Sequence, residues 1–150
     1  MTFRSRLAAL PLLAGILLAG PTLALDYHSV AAASAILYDA PSAKAKRLYV
    51  VGQYYPVEVV VNLEGWAKVR DSSGELAWIE KKHLSDKRTV LVTVPLADVR
   101  QAADGNAALA FQAERGVALE VLENGSSGWV KVRHRDGQTG YVKITQVWGT

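Results

Sequence analysis

"GWAKVRDSSGELAW", residues 65–78, returns near the C-terminus as "GWVKVRHRDGQTGYV", residues 128–142. Each stretch sets runs of β-branched and aromatic residues on either side of a polar turn that ends in glycine, which is the pattern of a β-hairpin. "SSG" and "RDG" read as three-residue hairpin loops whose last residue, Gly74 or Gly137, takes a positive φ. That register places Val69 opposite Ala77 and Ala67 opposite Ile79, and in the second hairpin Val132 opposite Gly140 and Val130 opposite Val142. These small and branched side chains share one face, suited to the crowded interior of a small barrel. The other face carries Trp66, Lys68 and Arg70 beside Leu76, Trp78 and Glu80, and again Trp129, Lys131 and Arg133 beside Thr139 and Tyr141. The aromatic pairs Trp66/Trp78 and Trp129/Tyr141 fall diagonally across their hairpins, within touching distance.

The repetition extends well beyond the hairpins. "ASAILYDAPSAKAKRLYVVGQYYPVEVVVN" aligns without a gap on "PLADVRQAADGNAALAFQAERGVALEVLEN" at an offset of 62 residues, and a loop one residue longer then brings the tryptophans into step. Two copies of one unit follow from this self-similarity. Each copy reads as all-β, with "YYPVEVVV" and "GVALEVL" as strands leading into tight loops. "ALAFQAERG" is the one stretch with helical appeal, but its alignment with "RLYVVGQYY" makes it a strand and turn. "KKHLSD" reads as a single 3₁₀ turn. "SDKR" is too short a linker for the copies to swing freely, so two small barrels, residues 25–86 and 87–150, are expected to pack together.

Residues 1–24 read differently. "MTFRSR" is a short basic start, "LAALPLLAGILLAG" an apolar run, and Thr22 and Ala24 are small residues at positions −3 and −1 of a cut near Ala24–Leu25. That order describes a secretory signal peptide; an uncleaved anchor would need a longer apolar run of about 20 residues. The expectation is export to the periplasm or the extracellular space, with no membrane span after cleavage. The chain has 0 cysteines, so lipid attachment at the cut, disulfides and thiol chemistry are all absent. It carries 17 basic and 14 acidic residues; without Arg4 and Arg6 the balance falls to +1. So small an excess gives nucleic acid little to recognise.

No constellation of reactive residues emerges. His28, His83 and His134 read as solvated loop side chains without metal-ligand spacing. No GxSxG elbow occurs, and "DGNA" and "NGSSG" open no helix, so neither cradles a phosphate. The expectation is a non-catalytic protein without metal or cofactor.

"GWAKVRDSSGELAWIEKKHL" and "GWVKVRHRDGQTGYVKITQV" resemble the signature half of bacterial SH3 domains: glycine–tryptophan, a K-V-R-type strand, a glycine turn, an aromatic–aliphatic strand and a closing turn. "AILYDAPSAKA" and "ADVRQAADGNA" are similar to the family's first loop. The second copy departs from the first in having Tyr141 in place of tryptophan and no proline in its first turn. The resemblance implies tandem small β-barrels used as attachment modules, which bind cell-wall peptides or glycans or dock onto another envelope protein. On that reading Trp66, Trp78, Trp129 and Tyr141 stack on a ligand while Lys68, Arg70, Lys131 and Arg133 meet its carboxylates. The alternative is that the aromatic rings plug the barrel ends or the seam between copies, leaving a structural subunit with no small ligand.

Overall fold

The computed structural model describes residues 24–125 and 127–150. The signal-peptide reading of residues 1–24 falls almost wholly outside the described residues. The first copy comprises β1 (Tyr27–Val30), β2 (Ser34–Tyr38), β3 (Arg47–Gly52), β4 (Pro56–Asn62), β5 (Trp66–Arg70), β6 (Leu76–Glu80) and β7 (Leu84–Ser85), with a 3₁₀ turn at Lys81–His83. The second repeats it as β8 (Thr89–Val92), β9 (Leu96–Arg100), β10 (Leu109–Glu114), β11 (Ala118–Glu123), β12 (Trp129–Arg133), β13 (Thr139–Lys143) and β14 (Val147–Trp148), with its 3₁₀ turn at Ile144–Gln146. "ALAFQAERG" is therefore strand and turn, and "KKHLSD" contains the expected 3₁₀ turn.

Each copy is one seven-stranded antiparallel sheet, ordered β3-β2-β6-β5-β4-β1-β7 and β10-β9-β13-β12-β11-β8-β14. Hydrogen bonding runs from edge to edge, and among the described residues no ladder joins β3 to β7 or β10 to β14. The barrel is thus a coiled open sheet. Its coiling shows in the core: Val51 on β3, Ile79 on β6 and Val30 on β1 belong to a single buried cluster. On a flat sheet, strands about 4.8 Å apart would hold these side chains well beyond contact. A bulge between Val59 and Val61, repeated between Val121 and Glu123, bends the long strand that serves both halves of each sheet.

The hairpin register is the one that alternation dictates. Val69 pairs with Ala77 and Ala67 with Ile79; Val132 pairs with Gly140 and Val130 with Val142. All eight face inward and are buried. Gly74 and Gly137 have φ of 89° and 97°, closing the two turns in the left-handed region that glycine alone enters without steric cost. In the first turn the buried Asp71 side chain accepts hydrogen bonds from the backbone N–H of Ser73 (2.8 Å) and of Glu75 (3.1 Å) and from the Ser73 hydroxyl (2.6 Å). These bonds satisfy a carboxylate that would otherwise be expensive to bury.

Tyr49 Oη, reaching over from β3, donates to Asp71 and Glu75 at 3.3 Å each. Burial, then the charges of Asp71 and Glu75, push the Tyr49 phenol up from 10.0 to about 12. A folded-state value above the unfolded one favours the native state fully below pH 10.0, and that contribution drains away as the pH rises towards 12. Tyr49→Phe is therefore expected to flatten the alkaline loss of stability. Urea denaturation on either side of pH 10 measures it, and an unchanged slope would detach the phenol from that turn.

The copies meet along a polar seam. Ser29 Oγ, fully buried, donates to the Lys87 carbonyl at 2.6 Å, and Thr89 Oγ1 donates to the Tyr54 carbonyl at 2.7 Å. Tyr27 meets Trp148 edge-to-face with ring centroids 5.2 Å apart, and the Arg88 guanidinium lies 5.2 Å from the Tyr27 ring.

Candidate functional site

The outer face of β5 and β6 holds the residues that sequence alternation assigns to it. Trp66, Lys68, Arg70, Trp78 and Glu80 are all half-buried, while Ala67, Val69, Ala77 and Ile79 are enclosed beneath them. The second copy differs: Trp129 is buried, Lys131 and Tyr141 are half-buried, and Arg133 is exposed. Equivalent tryptophans thus have unequal access to solvent.

The expected ring-on-ring contacts are replaced by others. Lys68 lies directly opposite Trp78 in the register, and its ammonium sits 5.9 Å from the Trp78 ring centre. Lys131 does the same to Tyr141 at 5.8 Å, and Lys143 to Trp129 at 5.6 Å. A directly opposed cross-strand neighbour lies nearer than a diagonal one, so the lysines take the ring faces that the diagonal aromatics were expected to fill. Trp66 faces Glu80 in the register and instead packs edge-to-face on Tyr38, with centroids 5.4 Å apart. Tyr38, only 5% exposed, is the register partner of Trp78, so Trp66, Trp78 and Lys68 form one aromatic and cationic ledge with Tyr38 buried against it. The "AILYD" stretch contains the signal for Tyr38, an aromatic residue immediately before the first turn. Its second-copy counterpart, Arg100, is instead tied to Asp98 at 3.0 Å and to the Ala107 carbonyl at 2.8 Å.

The two arginines expected to meet a ligand's carboxylates already hold internal ones. Arg70 pairs across the sheet with Glu58, Nη1 to Oε2 at 2.9 Å, and Glu58 is only 8% exposed. Arg133 reaches Glu120 Oε2 with Nη2 at 2.8 Å and Nε at 3.2 Å. The Arg133 hydrogen bonds come first in holding the Glu120 carboxyl below its usual range. Arg70→Ala would leave a buried carboxylate without its cation, at an expected cost of about 1–2 kcal/mol. Adding Glu58→Gln to that variant should return part of the loss, because the stranded charge disappears with it. A double-mutant cycle by thermal unfolding measures the coupling, and additive losses would show the pair to be idle.

Two of the three histidines are more engaged than free loop side chains. His28 lies on β1 with Asp26 at 3.0 Å and Asp86 at 3.3 Å, and His134 contacts Asp136, two residues on, at 3.0 Å. Among the described residues no group of three or more such side chains is arranged to hold a metal ion. None of the described helices is long and apolar enough to cross a membrane.

A family model described as bacterial SH3 domain matches residues 31–86 and again residues 93–149. The chain belongs to the bacterial SH3 domain family. Its two tandem domains resemble parts of larger solved structures. NlpC1 from Trichomonas vaginalis is 19% identical with a TM-score of 0.39, over 91% of this chain and 51% of that one. NlpC2 from the same organism is 16% identical at 0.39, over 87% and 50%. An NlpC/P60 family protein from Bacillus cereus is 15% identical at 0.39, over 82% and 56%. The chain spans about half the length of these structures. No curated protein matches it.

Proposed function

We propose that this tandem bacterial SH3 protein is an exported, non-catalytic binding module of the cell envelope that recognises a peptide or glycan of the cell wall. One observation carries the reading: the half-buried ledge of Trp66, Trp78 and Lys68, backed by the buried Tyr38, lies on the outer face of a sheet whose core cluster is complete without it. Aromatic rings at a half-wet surface offer stacking area at low entropic cost, and a lysine beside them supplies a charge for a carboxylate. Lys68 has no carboxylate within ion-pair distance among the described residues, in contrast to Arg70, Lys131 and Arg133. The ligand's acidic group therefore belongs at Lys68, while Arg70 and Arg133 brace the sheet.

Retention of the purified protein on intact sacculi is the expected result. Indifference to sacculi, together with capture of a defined envelope protein, would favour the second reading, a docking subunit. The observation behind that alternative is the exposed edge of β3, where Val50 is 65% and Leu48 38% exposed.

A further inference from the structure

The two copies build one turn with different residues. Tyr54 and Gly116 occupy equivalent positions at the 62-residue offset, each donating its backbone N–H to the first strand of its own copy, to the Val30 carbonyl at 2.8 Å and the Val92 carbonyl at 2.9 Å. Gly116 has φ of 85°, which glycine adopts freely. Tyr54 has φ of 70°, a left-handed conformation that a residue bearing a Cβ adopts only under strain. The second copy shows that glycine serves the turn, so the fold has no need of the strained tyrosine. Strain of this kind, held in place by its surroundings, is a pointer to function.

The Tyr54 ring stands in the cleft between the copies. The Lys87 ammonium lies 5.3 Å and the Arg135 guanidinium 5.8 Å from its centroid. Tyr54, Lys87, Glu120, Arg133, His134 and Arg135 line a cavity of about 380 Å³ there. A second hollow of about 340 Å³ continues from it past His134 and Arg135. The one carboxylate in the lining, Glu120, is held by Arg133 at 2.8 Å and by Lys87 at 3.5 Å, and His134 has Asp136 beside it. Arg135 is exposed and, among the described residues, has no carboxylate within 4.0 Å. A guanidinium with open donors, sharing a cavity and a tyrosine ring with an ammonium, can receive an oxyanion.

We propose that the cleft between the two domains is a second binding site, separate from the Trp66 ledge, for a small oxyanion, either a peptide C-terminal carboxylate or a phosphate group. Tyr54 orients the two cations, and Arg135 makes the direct contact. Neither domain has the site alone, because Tyr54 comes from the first, Arg135 from the second and Lys87 from the junction.

The test titrates the full chain, followed by amide chemical shifts, with inorganic phosphate, with an N-acetylated dipeptide bearing a free C-terminal carboxylate, and with the same dipeptide amidated, at ionic strength matched with chloride. Perturbation should centre on Tyr54, Lys87 and Arg135. Stronger response to phosphate assigns the phosphate source, and stronger response to the free-carboxylate dipeptide the peptide source. Arg135→Gln and Tyr54→Gly should each weaken binding at least tenfold, and Tyr54→Gly should leave the melting temperature unchanged or raise it. The proposal is overturned if neither anion perturbs the cleft, if the amidated dipeptide binds as well as the acid, or if Arg135→Gln binds like wild type. A fall in the melting temperature of Tyr54→Gly with no anion binding to the wild type would make the tyrosine mere cement of the seam.

Discussion

Trp66→Ala is expected to abolish retention on sacculi while costing only about 1–2 kcal/mol of stability. Trp66 is only partly buried, its main partner is one edge-to-face contact with Tyr38, and the core cluster below does not include it. Removing it deletes an aromatic face without opening a sealed cavity. Trp129→Ala is the control from the same position of the second copy. Trp129 is only 9% exposed, so its truncation should cost about 3–5 kcal/mol, as for buried tryptophans. Thermal unfolding read beside sacculus retention separates the two. A loss for Trp66→Ala as large as that for Trp129→Ala, with binding kept by the folded fraction, would reduce the ledge to a plug.

Gly140→Val should unfold the second domain, with an expected loss of about 3 kcal/mol or more. A Cβ at Gly140 would lie 2.7 Å from the Arg100 carbonyl oxygen and 2.7 Å from Val99 Cγ1, with the Ala110 Cβ at 3.2 Å. Backbone oxygen cannot yield as a flexible side chain can, and β9 is locked to β13 there through the Tyr141–Arg100 pairing. The equivalent residue of the first domain is Ala77, buried at 3% exposure, so that sheet has room for the methyl group. The reverse change, Ala77→Gly, should cost only about 1 kcal/mol, from backbone entropy and the lost methyl. Two-stage chemical denaturation of Gly140→Val, with the Tyr49 turn intact in the second stage, is the expected pattern. A variant as stable as wild type would mean that β9 and β13 can part.

How far the sequence foretold this architecture depends on the range over which each feature acts. Within a hairpin, alternation and a glycine turn leave one register that buries Val69, Ala77 and Ile79 together, and the structure adopts it. The gapless repeat carried the same certainty to "ALAFQAERG", whose own residues point to helix as readily as strand. Contacts between hairpins obey no such local rule. That Tyr38 would settle on Trp66, 28 residues away, depends on β2 pairing with β6 next to β5, which no spacing expresses. The arginines were misleading for a related reason. Arg70 has the right chemistry to meet a ligand, but only the pairing of β4 with β5 reveals that Glu58 is already opposite it. Tyr54 was visible all along as the partner of Gly116 in the self-alignment. Its meaning needed the backbone angle and the neighbours that Lys87 and Arg135 supply.

The open ladder has a consequence for how the protein behaves in a crowd. β3 ends its sheet with unpaired backbone groups beside exposed Leu48 and Val50, whereas its counterpart β10 sets exposed Gln112 and Glu114 beside a single exposed leucine, Leu109. A bare apolar edge invites a strand of another molecule to add on and start a growing stack. Lys44, Lys46 and Arg47, all exposed, stand at the approach to that edge and give two incoming copies like charges to overcome. Their repulsion reaches only about 10 Å at 0.1 M salt and about 3 Å at 1 M. Colloidal stability therefore rests on a short electrostatic fence, one that holds in dilute buffer and thins as salt is added.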